Sequence, residues 1–546
     1  MKNVQRPSAG DNRLSRLCGF LATICILTIT YSGAATYYVA TTGNDANPGT
    51  ITQPFATLQK GADVAVAGDT VFIRGGTYAL KGAGASSTSG ISITKSGQSG
   101  TQRIYFWAYN NEKPVFDFSG LTLSTSTEGA GITVTGSWLY FKGLEVCNVP
   151  EPGGPSNRGI YTDGAGNNIF ELMNIHNNGG PGFFISHGTG GNLVLNCDSH
   201  DNYDPNSSQG NGQNADGFGC HYQVSGTSTI FRGCRSWWNS DDGYDCINQG
   251  VAVYFENCWA MRMGYYNQGA TKAPDGNGNG FKAGGWGMPP SWTGYTTPII
   301  HHVVENCVSL LNSSAGFYEN HQPTSDTFYN NSAYNNGADY NMLGYDLTTD
   351  EGVGMGYYRN NVAYLGEATS NATGDEFNAA YNSWDITGLT VAASDFASLD
   401  TAGIMGPRNA DGSVPNVEFL RLSATSKLID AGTDVGLPYV GKAPDLGAFE
   451  YGATGAMPSN AVARSESKEV FIHQTGATLF IRIPDYQTRQ RSAAAFSIFN
   501  AQGRQVGTWR FASNELSVSM QTLPRGIYVG RINDGTTELV QKVLLR

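Results

Sequence analysis

Three short segments of this chain carry residues able to do chemistry, and they share one frame. The first reads Asn214-Ala215-Asp216-Gly217-Phe218-Gly219-Cys220, the second Ser240-Asp241-Asp242-Gly243-Tyr244-Asp245-Cys246, and the third Gly278-Asn279-Gly280-Phe281-Lys282-Ala283. Aligned on their Gly-aromatic pairs, Asp216, Asp242 and Asn279 fall in one column, and Gly219, Asp245 and Lys282 in another. With Asp241, four carboxylates and one lysine then share a single patch, provided the segments stack as successive turns of a solenoid. Carboxylates gathered so closely at neutral pH either take up protons or bind a cation. An all-oxygen ligand set without histidine or thiolate favours a hard ion, and a flexible multi-carboxylate site favours calcium over magnesium. A lysine beside a bound dication has its ammonium form disfavoured, which makes Lys282 a candidate proton acceptor. Plainer readings stand beside these: calcium that only stiffens the scaffold, acidic turn residues facing solvent, or a lysine that merely neutralises the aspartates.

The stacking requirement is met by an internal repeat. Gly followed by an apolar or aromatic residue recurs at Gly159-Ile160, Gly182-Phe183, Gly217-Phe218, Gly243-Tyr244, Gly280-Phe281 and Gly316-Phe317. A second motif interleaves with it: Leu195-Asn196-Cys197, Arg232-Gly233-Cys234, Glu256-Asn257-Cys258, Glu305-Asn306-Cys307 and Tyr329-Asn330-Asn331. Gly182 to Asn196, Gly243 to Asn257 and Gly316 to Asn330 are each 14 residues, and Asn306 to Gly316 is 10, so the minimal unit is 24. Such a unit is too short for a propeller blade and lacks helical periodicity. It fits one coil of a parallel β-helix, whose equivalent residues stack about 4.8 Å apart. Cys197, Cys234, Cys258 and Cys307 then form a column of buried thiols, with a disulfide between neighbours as the alternative. Asn196, Asn257, Asn306 and Asn330 form an asparagine ladder at a bend, or supply turn chemistry only. Insertions at 203–214, 264–277 and 284–300 lengthen coils near the cluster and carry Tyr203, Tyr265, Tyr266, Trp286 and Trp292, faces suited to stacking on sugars. Arg262, just after a strand and before an insertion, is a candidate partner for a uronate carboxylate.

The rest of the chain frames this middle. Among 546 residues there are 71 glycines and 11% aromatic residues, a composition of short strands and tight turns rather than of disorder. The net charge of −12 argues against nucleic acid as a partner. Lys2, Arg6, Arg13 and Arg16 precede an apolar run from Leu17 to Ile29 and small residues to Ala35, so residues 1–35 read as a signal peptide. Its removal takes the charge to −15 and leaves seven cysteines. No later segment offers the roughly 20 apolar residues of a membrane span. Residues 36–451 read as the β-helix, with 53–66 as a short helix capping its N-terminal end and 366–450 as final coils and loops. Residues 452–467 read as a linker, and 468–546 as a separate small β-sandwich. The fold class expected is therefore all-β, a right-handed parallel β-helix with a small C-terminal β-sandwich.

The three segments resemble the signature of family 9 polysaccharide lyases, typified by pectate lyases, and the opening Tyr37-Tyr38-Val39-Ala40 through Gly75-Gly76-Thr77-Tyr78 is similar to the start of such exported β-helix proteins. The resemblance implies calcium bound by Asp216, Asp241, Asp242 and Asp245, with Lys282 as the proton-abstracting base. It further implies β-elimination on an acidic plant-type polysaccharide, homogalacturonan in most members and rhamnogalacturonan in some. The C-terminal pieces Phe496-Ser497-Ile498-Phe499-Asn500, Leu523-Pro524-Arg525-Gly526-Ile527-Tyr528 and Lys542-Val543-Leu544-Leu545 resemble a type IX secretion sorting domain, with a carbohydrate-binding module as its rival. A secreted or cell-surface monomer is expected. Two other functions stay open: a hydrolase using Asp216, Asp241 and Asp242 as its acid and base, and a non-catalytic glycan-binding β-helix stiffened by calcium.

Overall fold

The computed structural model describes residues 34–81, 88–100, 102–154, 156–223, 225–285, 301–322, 326–343, 356–372 and 377–453, and C-terminal strands between 471 and 545. The signal peptide up to residue 33, Trp286, Trp292 and most of the linker lie outside the described residues.

Among the described residues, three long parallel sheets of 12, 10 and 10 strands wind around one another, ten coils contributing a strand to each sheet and the first and last strands extending only the largest. The first sheet runs from Thr36–Val39 to Phe377–Ala380, the second from Ser89–Ile93 to Glu367–Ser370, and the third from Gly76–Lys81 to Val362–Tyr364. The winding is right-handed, the hand that parallel crossovers take. Each strand is short because the turns come every few residues, and many turns use the left-handed region. Asn196, Asn257, Asn306, Asn330 and Asn360 have φ between 52° and 58°. Asparagine tolerates that region because its short amide bonds locally, so this column is chiefly a turn column. Within this column Asn360 Nδ2 donates to Asn330 Oδ1 (2.9 Å), and longer amide ladders run in other columns. Asn178 donates to Asn202 (2.9 Å) and Asn202 to Asn239 (2.8 Å), while Asn331 donates to Asn361 (3.1 Å) and Asn361 to Asn382 (2.8 Å).

The interior is filled by columns of like residues. Phe218, Tyr244, Phe281, Phe317 and Tyr340 stack with centroids 5.2, 4.6, 5.1 and 4.9 Å apart. The thiol column is buried and unbridged; Cys197, Cys258 and Cys307 donate to the carbonyls of Phe170, Phe231 and Phe255 in preceding coils. A helix at Leu58–Val64, N-capped by Thr57, closes the N-terminal end, where Gly61 lies against Val71 and Val39. Beyond Ala380 the chain folds back over the outer face of the third sheet. Phe396, Ile404, Phe419, Leu420 and Leu428 pack there on Trp237, Trp259, Met261 and Leu310. Asp198 anchors that strap by accepting from both Arg235 (2.9 and 2.8 Å) and Arg408 (2.6 Å). Among the described residues at the C-terminus, seven antiparallel strands form one three-stranded and one four-stranded sheet.

Candidate active site

The second sheet carries the chemistry on its outer face. Phe218, Tyr244 and Phe281 point into the core and are fully buried, so the residues next to them point out. Register pairs Gly219 with Asp245, Asp245 with Lys282, and Lys282 with Tyr318. One residue before each glycine, Asp216, Asp242 and Asn279 follow the same ladder: Gly217 N donates to Asp242 O (2.9 Å) and Gly243 N to Asn279 O (2.8 Å). Side chains bond coil to coil as well. Asp216 Oδ1 accepts from Asp242 N (3.1 Å), and Asp242 Oδ1 from both Asn279 N and Nδ2 (2.8 Å each). Asp241 Oδ1 accepts from Asn277 N (2.6 Å), at the end of the 264–277 insertion. That insertion is held to the 203–214 loop by Asn211 N donating to Asp275 (2.8 Å), and by Tyr203 stacked on Tyr266 at 4.0 Å. Each of these two tyrosines gives one ring face to the other, and the pair ties the loops together beside the cluster.

Asp216, Asp241 and Asp242 offer carboxylate oxygens within 4.8 Å of one another. Asp245 stands outside that trio and joins the basic groups instead: its Oδ2 is 3.3 Å from Lys282 Nζ and 3.4 Å from His221 Nε2. Lys282 Nζ also lies 3.2 Å from Asp242 Oδ2. Burial, then mutual repulsion, pushes Asp216 and Asp241 well above the usual carboxylate range. Burial acts the same way on Asp245, but Lys282 and His221 outweigh it and bring that group down to about 2. Burial would lower the Lys282 ammonium; the surrounding carboxylates, Asp245 and Asp242 foremost, hold it well above its ordinary value.

The donor set fits a hard dication. All its atoms are oxygen, its carboxylates are nearly fully buried, and Asp242 Oδ2 and Asp245 Oδ1 accept no hydrogen bond. A concentration of buried negative charge with spare lone pairs is what an oxygen-ligated cation offsets.

Arg262 is not brought to this cluster. It follows the third-sheet strand Trp259–Met261 with φ of 57°, and lines a cavity with Trp238, Thr401, Gly403 and Met405 of the strap. Conversely, the cluster includes His221, two residues beyond Gly219 on the same strand and not among the sequence candidates. Period-two spacing from Gly219 was signal enough to find it. Tyr318, the next rung after Lys282, is a second such neighbour.

Comparison with known proteins agrees with this architecture. Residues 37–361 match the Pel9A-like, right-handed β-helix region, and residues 478–546 match the secretion system C-terminal sorting domain. Pectate lyase L of Dickeya chrysanthemi is 38% identical over 437 residues, covering 79% of this chain and 94% of the relative. The crystal structure of pectate lyase Pel9A superposes with a TM-score of 0.63 at 36% identity, covering 77% of this chain and 97% of that one. A solved rhamnogalacturonan lyase gives the same TM-score at 33% identity, over 72% and 97%. The chain belongs to the Pel9A-like family of right-handed β-helix polysaccharide lyases, and it ends in a sorting domain for secretion.

Proposed function

We propose that this enzyme cleaves a uronate polymer, homogalacturonan first, by calcium-dependent β-elimination, with Lys282 as base and Asp216, Asp241, Asp242 and Asp245 holding the ion. The observation that carries the reading is the Lys282 ammonium nitrogen, on the outer face and 3.2–3.3 Å from two carboxylates of a buried, under-bonded acidic cluster. When bound, calcium would cancel the negative field on the lysine and supply positive charge toward a substrate carboxylate. Relieved of that field, a largely buried amine gives up its proton more readily, because burial already works in that direction. Neutral Lys282 then takes the C5 proton of a uronate, the C4–O bond breaks as the departing oxygen takes a proton from water, and a 4,5-unsaturated sugar remains at the new non-reducing end. Asp245 orients the amine, and Asn279 and the 264–277 insertion fix the carboxylates. The C-terminal domain directs export, and the catalytic part acts outside the cell or at its surface.

Rhamnogalacturonan is the second reading, favoured by the equal TM-score of the solved rhamnogalacturonan lyase. Incubating purified protein with each polymer, with and without calcium, while following ultraviolet absorbance, tests both. Absorbance rising only with calcium is expected; cleavage without an unsaturated product would reject elimination in favour of hydrolysis.

A further inference from the structure

A second group of ligating side chains lies on the outer face of the third sheet, away from the lysine strand. Val146 points into the core and is fully buried, so Glu145 and Cys147 of the strand Glu145–Cys147 share the opposite face. The next coil pairs Asn174 with Glu145 and His176 with Cys147, placing an imidazole one rung from a thiol. One donor atom from each of Glu145, Cys147 and His176 lies within 4.8 Å of the others.

The histidine is pre-set as a ligand. Its Nδ1 is 2.6 Å from Asn177 Oδ1, an acceptor, so that nitrogen carries the hydrogen. Nε2 then directs a lone pair toward Glu145 Oε1 at 3.2 Å. Two lone pairs at that distance need a proton or a cation between them. Holding the remote N–H on a side-chain oxygen is how a metal-bound imidazole is oriented. The ring is further fixed by stacking on His200 (4.9 Å), itself stacked on Trp237 (4.1 Å).

Cys147 differs from the other described cysteines. Cys197, Cys220, Cys234, Cys246, Cys258 and Cys307 belong to the interior core, whereas Cys147 sits on the outer face, unbridged and 4% exposed. Asp117, its partner one rung earlier, is taken up by Ser119 N (2.9 Å) and Asn148 Nδ2 (3.1 Å).

We propose that Glu145, Cys147 and His176 bind a zinc-type transition-metal dication. Thiolate and imidazole select such an ion over calcium, and three protein ligands leave a fourth position for water. Binding displaces the thiol proton to solvent, so the metal clips two successive coils together and releases acid.

The test uses the full untagged chain, stripped with chelator and titrated with cobalt in excess calcium, which fills the acidic cluster with its preferred ion. One cobalt per chain is expected, with a near-ultraviolet sulfur-to-cobalt charge-transfer band that zinc bleaches. Cys147→Ser should lose that band while keeping its melting profile and calcium-dependent turnover, and His176→Ala should weaken cobalt binding roughly 10-fold or more. Zinc should raise the melting midpoint of the wild type and of neither variant. Absence of the band in the wild type, or its persistence in Cys147→Ser, would overturn the site; should Cys147→Ser fail to fold, unchanged cobalt affinity in His176→Ala would do the same.

Discussion

Lys282 and its carboxylates set the behaviour of the site at the scale of single residues. Replacing Lys282 by Ala removes the proposed base, and turnover should fall by roughly 10²–10⁴-fold with the circular dichroism spectrum unchanged. Unaltered turnover would reject the assignment. The carboxylates predict an opposite pair of pH effects on stability. Asp216 and Asp241 have folded pKa values above their unfolded ones, so the native state holds extra protons and its stability falls as pH rises through the carboxylate range. Asp245, at about 2, works the other way: its contribution is present above the unfolded value and lost as pH falls toward 2. In chelator, the melting midpoint should therefore drop as pH rises above about 4, and calcium should restore it. Asp216→Asn should raise the midpoint in chelator and blunt the calcium response. A midpoint that climbs with pH in chelator would contradict the repulsion.

At the scale of elements, the coil strands are only two to seven residues long, and the place of each is held by what stacks above and below. The amide ladder is one such support. Asn361 donates to Asn382 Oδ1 and Phe328 O and accepts from Asn331, all in the interior. Asn361→Leu leaves those partners unsatisfied, and should cost about 1–3 kcal/mol per stranded group, read as a lower denaturation midpoint with turnover per folded molecule unchanged. The strap makes a harsher test. Asp198 is the carboxylate between the buried guanidiniums of Arg235 and Arg408. Asp198→Asn strands two positive charges and should destabilise by about 3–5 kcal/mol, more than Arg408→Ala, which leaves one intact pair. Equal midpoints for the two variants would rule that charge balance out.

The whole molecule divides its work between separate sheets. Among the described residues, no ladder joins the strands from Phe471 onward to the coils that end at Ala380, and the two groups belong to different sheets. A chain ended at residue 453 should therefore keep calcium-dependent turnover within about 2-fold, a change below roughly 0.5 kcal/mol in barrier, yet fail to leave the producing cell. Loss of turnover on truncation would mean that the sorting region supports the site. Among the described residues, no helix is long and apolar enough to cross a membrane.

The repeat made the coils readable in advance, because in a solenoid one translation by a coil generates the neighbours. Aligning Gly217, Gly243 and Gly280 was enough to set Asp245 beside Lys282 and Asp216 beside Asp242, and to separate core aromatics from outward polar groups. At the asparagines a shared repeat position leaves open whether a side chain turns the backbone or bonds to its neighbour, and Asn330 does both, with φ of 54° and a bond accepted from Asn360 Nδ2 (2.9 Å). Outside the repeat, nothing local was available. Arg235 reaches Ile404 O across 169 residues, and Arg408 reaches Cys197 O across 211; such contacts carry no period, so the fold-back of 381–453, and with it the environment of Arg262, was decided only in three dimensions. So was the charge state of Lys282, which depends on distances and burial summed over several coils rather than on which residues are present.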